Sequence, residues 1–541
     1  MDRDVFNGID FTTCDYLTPP TSASELARWV RAQRRDRKQE RDLQWAHERD
    51  FRNRGPDRRP APDVDPLDLA SSGWGVIIPE GTPRKVREAL APLLELRREQ
   101  ATRKKDYYRT LKYVPGESKD SFFRRYPVDA GPAKPEQLPY YLLIVGPPEI
   151  VPHRFQYQID VQYAVGRLAF DDPDHYRIYA ESVVAAEEGQ CHVLPEACFF
   201  SVVNPGDSVT ETTTQQLVQP LVKALEEERP EWKLRFVTGE QADKTTLLRL
   251  LGYGETPALL LTAAHGLAFP AGHPLQREQQ GAIVCRPWLG RHKSLHSNHF
   301  LTANDIGDDA RVHGLVAFLF GCNTVGAPAA DNYPPGRWGQ PRKAPEKPFI
   351  SGLARRLLSH PNGSALAVVG HVDRAWTSSF GSRGGEGILY VESFFKHLLD
   401  GFPVGLAMDW IHERFAELST ELTDALDKYK DHEYTDPAAK SSDPLAKHHR
   451  MARLWRAHND ARNLVVLGDP AVRLASGPQV ARLEPVLEER RATRGGLTIP
   501  LRSHWGSYVK AWLEIVGKRE AMDLGMDPAA AVRAFRDREE V

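Results

Sequence analysis

The sequence predicts an α/β fold, a mostly parallel sheet with helices on both faces, and three observations predict it. Short apolar runs such as Leu259-Leu-Leu-Thr-Ala-Ala264 and Val316-Ala-Phe-Leu-Phe320 have the length and uniform hydrophobicity of strands buried on both sides. Segments such as the one carrying Leu217, Val218, Leu221, Val222 and Leu225 space their apolar residues as a helix does. The two kinds of segment alternate along most of the chain, which is the pattern of strand–helix–strand units.

Taken in order, Trp74-Gly-Val-Ile-Ile-Pro79 reads as the first strand of this fold. Thr82 as N-cap and Pro83 at the first helical position then open a helix through Val86, Leu90, Leu93 and Leu94. A polar insertion separates it from a strand at Tyr140–Gly146. Strands follow at Ala164–Leu168, Ala197–Val203 and Lys233–Val237, each trailed by a helix: Pro173–Glu187, Thr212–Glu228 and Lys244–Leu251. The runs ending at His265 and Cys322 come next, with a long insertion between them. A helix at Phe349–Ser359, a strand at Gly363–Gly370, a helix at Gly387–Leu399 and a strand at Asn463–Gly468 complete the pattern. Residues 1–70 read as a charged extension with one or two mostly solvated helices. Residues 476–541 read as a charged helical tail around Trp505, Tyr508, Trp512 and Leu513.

With 541 residues, 41% of them hydrophobic, the chain has room for two or three domains at roughly 150 residues each. The formal net charge of -2 provides no global field for nucleic acid or an anionic membrane. No apolar run approaches the roughly 18–20 residues that cross a bilayer. The opening Met1-Asp-Arg-Asp-Val-Phe lacks the positive-then-apolar layout of a signal peptide. Cys14, Cys191, Cys198, Cys285 and Cys322 are odd in number and scattered, which argues for a reducing cytoplasm rather than a disulfide framework. The terminal segments are candidates for engaging a regulatory partner.

Two of the apolar runs stop at a reactive residue, one at His265-Gly266 and the other at Gly321-Cys322. Parallel sheets place their active sites just beyond the carboxyl ends of the strands. A His and a Cys delivered there are the equipment for nucleophilic thiol catalysis. A lone Cys at such a place would read as core, since free Cys is among the most buried residue types. The matching His strand turns the reading toward catalysis. His292, His296 and His299 are spaced to share a helical turn, but no Cys or carboxylate pattern accompanies them, so no metal or other cofactor is expected. The Gly-rich segment Gly381–Gly387 lacks the Lys-Ser/Thr of a phosphate loop, and no Gly-x-Ser-x-Gly elbow occurs.

The order, His first and Cys later, and a separation close to the roughly 50 residues of caspases resemble the caspase–gingipain clan of cysteine peptidases. Gingipain-like and CHAT-type bacterial enzymes are the better likeness. Asp160-Val-Gln-Tyr-Ala-Val-Gly-Arg167 resembles the link between their two side-by-side subdomains. Val369-Gly-His-Val-Asp-Arg-Ala-Trp376 resembles the strand after the nucleophile, and Val466-Leu-Gly-Asp-Pro470 the closing Gly-Asp-Pro motif. The likeness spans about residues 74–475 and implies a caspase–haemoglobinase-like fold, with a non-catalytic subdomain at 71–163 and a catalytic domain at 164–475.

It also implies roles. Cys322 would be the nucleophile and His265 the acid–base, with the Gly266 and Cys322 amides as oxyanion hole. Asn204 falls near the position of the orienting acid in gingipains. Asp207, Asp331, Asp373 and Trp376 are candidates for a substrate pocket that favours a basic residue before the cut. The loop from Asn323 to Pro348 is a candidate for self-processing. Limited proteolysis in cell death or defence, with a gasdermin-like pore former as target, is an expectation from the resemblance alone. The alternatives are a catalytically silent scaffold of the same fold and acyl transfer through the same thiol.

Overall fold

In a computed structural model the described residues are 3–4, 8–18, 20–36, 60–61, 63–126, 128, 132–191, 193–329, 345–375, 386–431, 444–475, 490–494 and 497–501. Ten strands form one sheet: β1 (Trp74–Pro79), β2 (Tyr108–Tyr113), β3 (Tyr141–Val145), β4 (Ala164–Leu168), β5 (Leu194–Ser201), β6 (Lys233–Val237), β7 (Pro257–Ala263), β8 (Val316–Phe320), β9 (Ala367–His371) and β10 (Leu464–Gly468). Their order is β6-β5-β7-β8-β9-β10-β4-β3-β1-β2. Every neighbouring pair is parallel except β9–β10. Mixed α/β architecture with a large, mostly parallel sheet is therefore what the alternating pattern encodes.

The central strands are apolar because both of their faces are covered. Leu259, Leu260, Leu261, Val316, Ala317 and Leu319 are wholly buried, each large side chain contributing roughly 1.5–3 kcal/mol. Pairing of β10 with β4 at Val466–Gly166 and Leu467–Arg167 makes the sheet continuous. Asp469 reinforces that joint: its carboxylate accepts Trp74 Nε1–H at 2.9 Å and Arg97 Nε–H at 2.6 Å, all three residues buried. The Gly-Asp-Pro motif thus ties β10 to β1 and to the helix Ala91–Thr102.

A second, five-stranded sheet lies at the end of the His strand. Its order is Phe300–Leu301, Ile283–Val284, Gly266–Ala268, Gly8–Asp10 and Asp15–Tyr16. Three of these strands come from the long insertion after His265 and two from the amino-terminal region. Ile9, Leu267, Val284 and Trp288 form its small apolar core.

Several elements differ from expectation. The polar insertion contains β2, whose Tyr-Arg-Thr-Leu-Lys-Tyr alternation is that of a half-exposed edge strand rather than of an apolar run. Thr82 does not cap the following helix: its hydroxyl donates to Pro79 O, and Pro83 is the N-cap residue of Arg84–Ala89. Phe349–Ile350 is a short strand, and the helix begins at Gly352 behind a Ser351 cap. The Thr212–Glu228 segment is interrupted by a π-turn at Thr214–Val218.

Two long helices, Val404–Asp431 and Pro444–Asn463, were not expected. The helix Ala23–Asp36 packs on the second of them through Leu26, Ala27 and Val30, with Trp29 edge-on to Trp455, so it is not mostly solvated. In the tail expected to be helical, the described residues Arg490–Arg494 and Leu497–Leu501 pair as an antiparallel hairpin. No helix among the described residues is long and apolar enough to cross a membrane.

Candidate active site

Strands β7 and β8 run side by side in parallel, with Ala263 opposite Phe320. His265 and Cys322 each follow two residues beyond that shared rung, so the sheet brings the two strand ends together at its carboxyl edge. The approach is close: a Cβ added to Gly266 would lie 1.8 Å from the Cys322 carbonyl oxygen, so only glycine can follow the His here.

Cys322 sits in a tight turn. Asn323 adopts φ 59°, and its backbone N–H donates to Asp373 O at 2.8 Å. Its side-chain amide donates to Gly326 O and Val372 O, which holds the turn against the end of β9. The Cys322 thiol accepts the Ala375 N–H at 3.2 Å. It is wholly buried, and burial pushes it up to about 12. The Ala375 N–H and the nearby Arg374 charge oppose that shift, while Asp373 and Asp460 add to it.

His265 is also wholly buried. Its Nε2–H donates to Asp207 Oδ2 at 2.5 Å, and its Nδ1 has no hydrogen-bond partner among the described residues. Asp207 caps the short helix Ser208–Thr213 by accepting Val209 N–H. It further accepts Tyr16 Oη–H on Oδ1 at 2.5 Å and Thr210 Oγ1–H on Oδ2 at 2.9 Å. Burial alone would raise the Asp207 pKa. The charge of a protonated His265 and the bonds from His265, Tyr16 and Thr210 outweigh it and hold the carboxyl well below its ordinary range. Tyr16 itself is pushed upward, by burial first and by the Asp207 charge second, so it remains a donor.

Two of the expected residues make different contacts in this geometry. Asn204 makes no hydrogen bond to His265; its side-chain N–H donates to Trp288 O at 3.3 Å. The group that holds the imidazole is Asp207, expected instead in the substrate pocket. It lies at the head of the helix rather than at the strand end, three residues farther along, where its oxygens are already filled. Asp373 is buried beside the thiol turn and accepts Arg374 N–H on Oδ1. Asp331 and Trp376 lie outside the described residues.

Sequence reasoning missed Tyr16, because the extension that carries it has no periodic signal linking it to a site nearly two hundred residues away. It also missed the Ala375 N–H, since a backbone donor leaves no mark on composition. Among the described residues no group of three or more His, Cys, Asp or Glu could hold a metal ion. His292 instead donates its backbone N–H to Cys14 O.

No family model matches the chain, and no curated protein matches it. Among solved structures, one described as the structure of a protease covers 75% of this chain and 80% of its own, at 12% identity and a TM-score of 0.42. The complex of the pro- and mature domains of RgpB from Porphyromonas gingivalis covers 74% of this chain and 80% of its own, at 11% identity and a TM-score of 0.36.

Proposed function

We propose that the protein is a cysteine endopeptidase in which Cys322 is the nucleophile, His265 the acid–base and Asp207 the residue that orients the imidazole. The observation that carries this reading is the Asp207–His265 pair ending one strand beside Cys322 ending the next. Nε2–H is committed to the carboxylate, which leaves Nδ1 as the ring atom to exchange protons.

His265 Nδ1 takes the Cys322 thiol proton as the sulfur adds to the peptide carbonyl carbon, and the oxyanion is held by the Gly266 and Cys322 amides. The C–N bond then breaks, His265 delivers its proton to the departing amine nitrogen, and a thioester remains on Cys322. Water next gives a proton to His265 and its oxygen to the carbonyl carbon. The carboxylic acid leaves, and the sulfur is regenerated.

The proposed pocket for the residue before the cut draws on Asp373, Asp331 and Trp376. Asp207 leaves that set because its oxygens are spent on His265, Tyr16 and Thr210. A basic residue there follows from charge pairing with the two remaining acids. The division into a non-catalytic subdomain at 71–163 and a catalytic domain at 164–475 belongs to the same reading. So does a cytoplasmic role in limited proteolysis of a protein partner, such as a gasdermin-like pore former in defence. The second reading, a catalytically silent scaffold, is favoured by one observation: the thiol is fully enclosed.

The test is cleavage of a diverse peptide library by the wild-type chain, Cys322→Ala and His265→Ala. Cleavage by the wild type with a loss of at least about 10³-fold in both variants supports the peptidase. Equal cleavage by all three forms rejects it. A library preference for Asp or Glu before the cut would remove the basic-residue pocket.

A further inference from the structure

Besides the Ala375 N–H, the backbone of Gly8 lies against the Cys322 thiol. A Cβ added to Gly8 would come within 2.8 Å of Cys322 Sγ and 3.0 Å of Cys322 Cβ, and within 2.3 Å of Leu17 Cδ1. The strand Gly8–Asp10 runs parallel to Gly266–Ala268, the strand that leaves His265, with Gly8 opposite Gly266 and Ile9 opposite Leu267. Phe11 N–H continues the ladder to Ala268 O at 2.9 Å. The chain then turns through Cys14 and returns antiparallel, Ile9 opposite Tyr16, with Leu17 N–H donating to Gly8 O.

Side chains pin this hairpin down. Ile9 enters the small apolar core, Phe11 stacks on Phe269 at 4.7 Å, Tyr16 bonds Asp207, and Asp15 pairs with Arg291 at 2.6 Å. A substrate carbonyl must come within roughly 3–3.5 Å of the attacking sulfur, and Gly8 fills that space. The edge it occupies offers main-chain donors and acceptors to any extended peptide.

Resting on the peptidase reading above, we propose that residues 8–17 occupy the peptide-binding edge Gly266–Ala268 and hold the enzyme latent until an extended peptide or a strand-donating partner displaces them. The occupant is well suited to leave. Its pairing is a strand of three residues backed by one of two, short enough to open locally while the ten-stranded sheet stays intact. Gly8 is the residue at the sulfur because any side chain there would strike both Cys322 and Leu17.

The experiment is iodoacetamide labelling of the native full chain, read by mass at each cysteine, alongside library cleavage. The forms compared are the wild type, Gly8→Val, which cannot fit against the sulfur, and Ile9→Ala, which loosens the strand without a clash. Cys198, buried in β5, reports global unfolding. Labelling of Cys322 is expected to rise about tenfold or more in both variants, with Cys198 still protected.

Unchanged Cys322 labelling in the folded variants would overturn the proposal. If either variant labels at Cys198, the wild type in rising urea replaces it. Cys322 labelling before Cys198 supports a local opening, and simultaneous labelling refutes it. An uncovered Cys322 that cuts no peptide would leave the covering strand standing and remove the peptidase. A wild type that already cuts as fast as the variants would do the reverse.

Discussion

His265–Asp207 and His412–Asp160 are both imidazole–carboxylate pairs closed off from water, yet their chemistry is opposite. In the first, ring and carboxylate are 2.5 Å apart, and the carboxyl is held well below its ordinary range. In the second they are 3.8 Å apart. Burial raises Asp160 well above its ordinary range, against the Arg167 charge and with that of Asp409. Burial also lowers His412 to about 4, against backbone carbonyl contacts from Leu464 and Asp160.

Proximity of a base therefore does not by itself keep a buried carboxyl ionised. Donors on the carboxylate do. Asp207 receives Tyr16, Thr210, His265 and a helix-opening amide, whereas Asp160 Oδ1 has no partner among the described residues. A buried carboxylate without such donors keeps its proton instead.

The largest effect that would break this contrast comes from Asp207→Asn. The change removes the charge that fixes the His265 tautomer, so kcat/KM for library peptides should fall by about 10²–10⁴. Asp160→Asn, assayed beside it, should leave kcat/KM unaltered. Equal losses in both would mean that the two pairs do not differ in function. Stability carries the same signature. Because its folded pKa is depressed, Asp207 stabilises above the unfolded value of about 3.9, and that contribution is lost as pH falls below it. Urea unfolding of Asp207→Asn should therefore show a shallower loss of stability below about pH 4.

The next effect is a pH slope set by His412. Burial raises Asp160 and lowers His412, so on folding the acid tends to take up a proton where the imidazole gives one up, and the two oppose each other in the wild type's slope. Asp160→Asn leaves His412 alone, neutral when folded and protonated when unfolded. Stability should then rise by roughly 3 kcal/mol from pH 4 to 6.5. A flat urea-unfolding profile in that variant would show that His412 is not desolvated as its burial implies.

Tyr16→Phe is a smaller perturbation. It strips one charge-assisted bond from Asp207 while keeping the ring, and chemical denaturation at pH 7 should register a loss of about 2 kcal/mol. No loss would mean that Asp207 is held by His265 and Thr210 alone.

Much of the sheet was legible because fully buried parallel strands leave apolar runs: Ala164–Leu168 has the boundaries the sequence predicts, and β7 and β8 stop just short of the expected His and Cys. The half-exposed edge strand Lys233–Val237 also has its predicted boundaries. The edge strand β2 was not legible, since its alternating Tyr, Leu and Lys serve only one face. Val404–Asp431 and Pro444–Asn463 were missed because their apolar positions are diluted by charges that face outward.

At the candidate site, His265 and Cys322 could be read from where two apolar runs stop, and neither the Asp207 bond to His265 nor Tyr16 could be. The expected Asn204 sits just past the strand end, but its Oδ1 makes no hydrogen bond to the imidazole, and the helix-capping Asp207 reaches it instead.

The sequence by itself determined which residues arrive at the carboxyl edge of the sheet, because hydrophobic runs set strand length and strand length sets where His265 and Cys322 emerge. The tertiary structure alone decided what surrounds them. Asp207 is anchored by a tyrosine from a distant hairpin, and Cys322 is covered by Gly8 of that same hairpin. Pairing between strands far apart in sequence depends on backbone hydrogen bonds that any residue can make, and such bonds leave no local pattern to read.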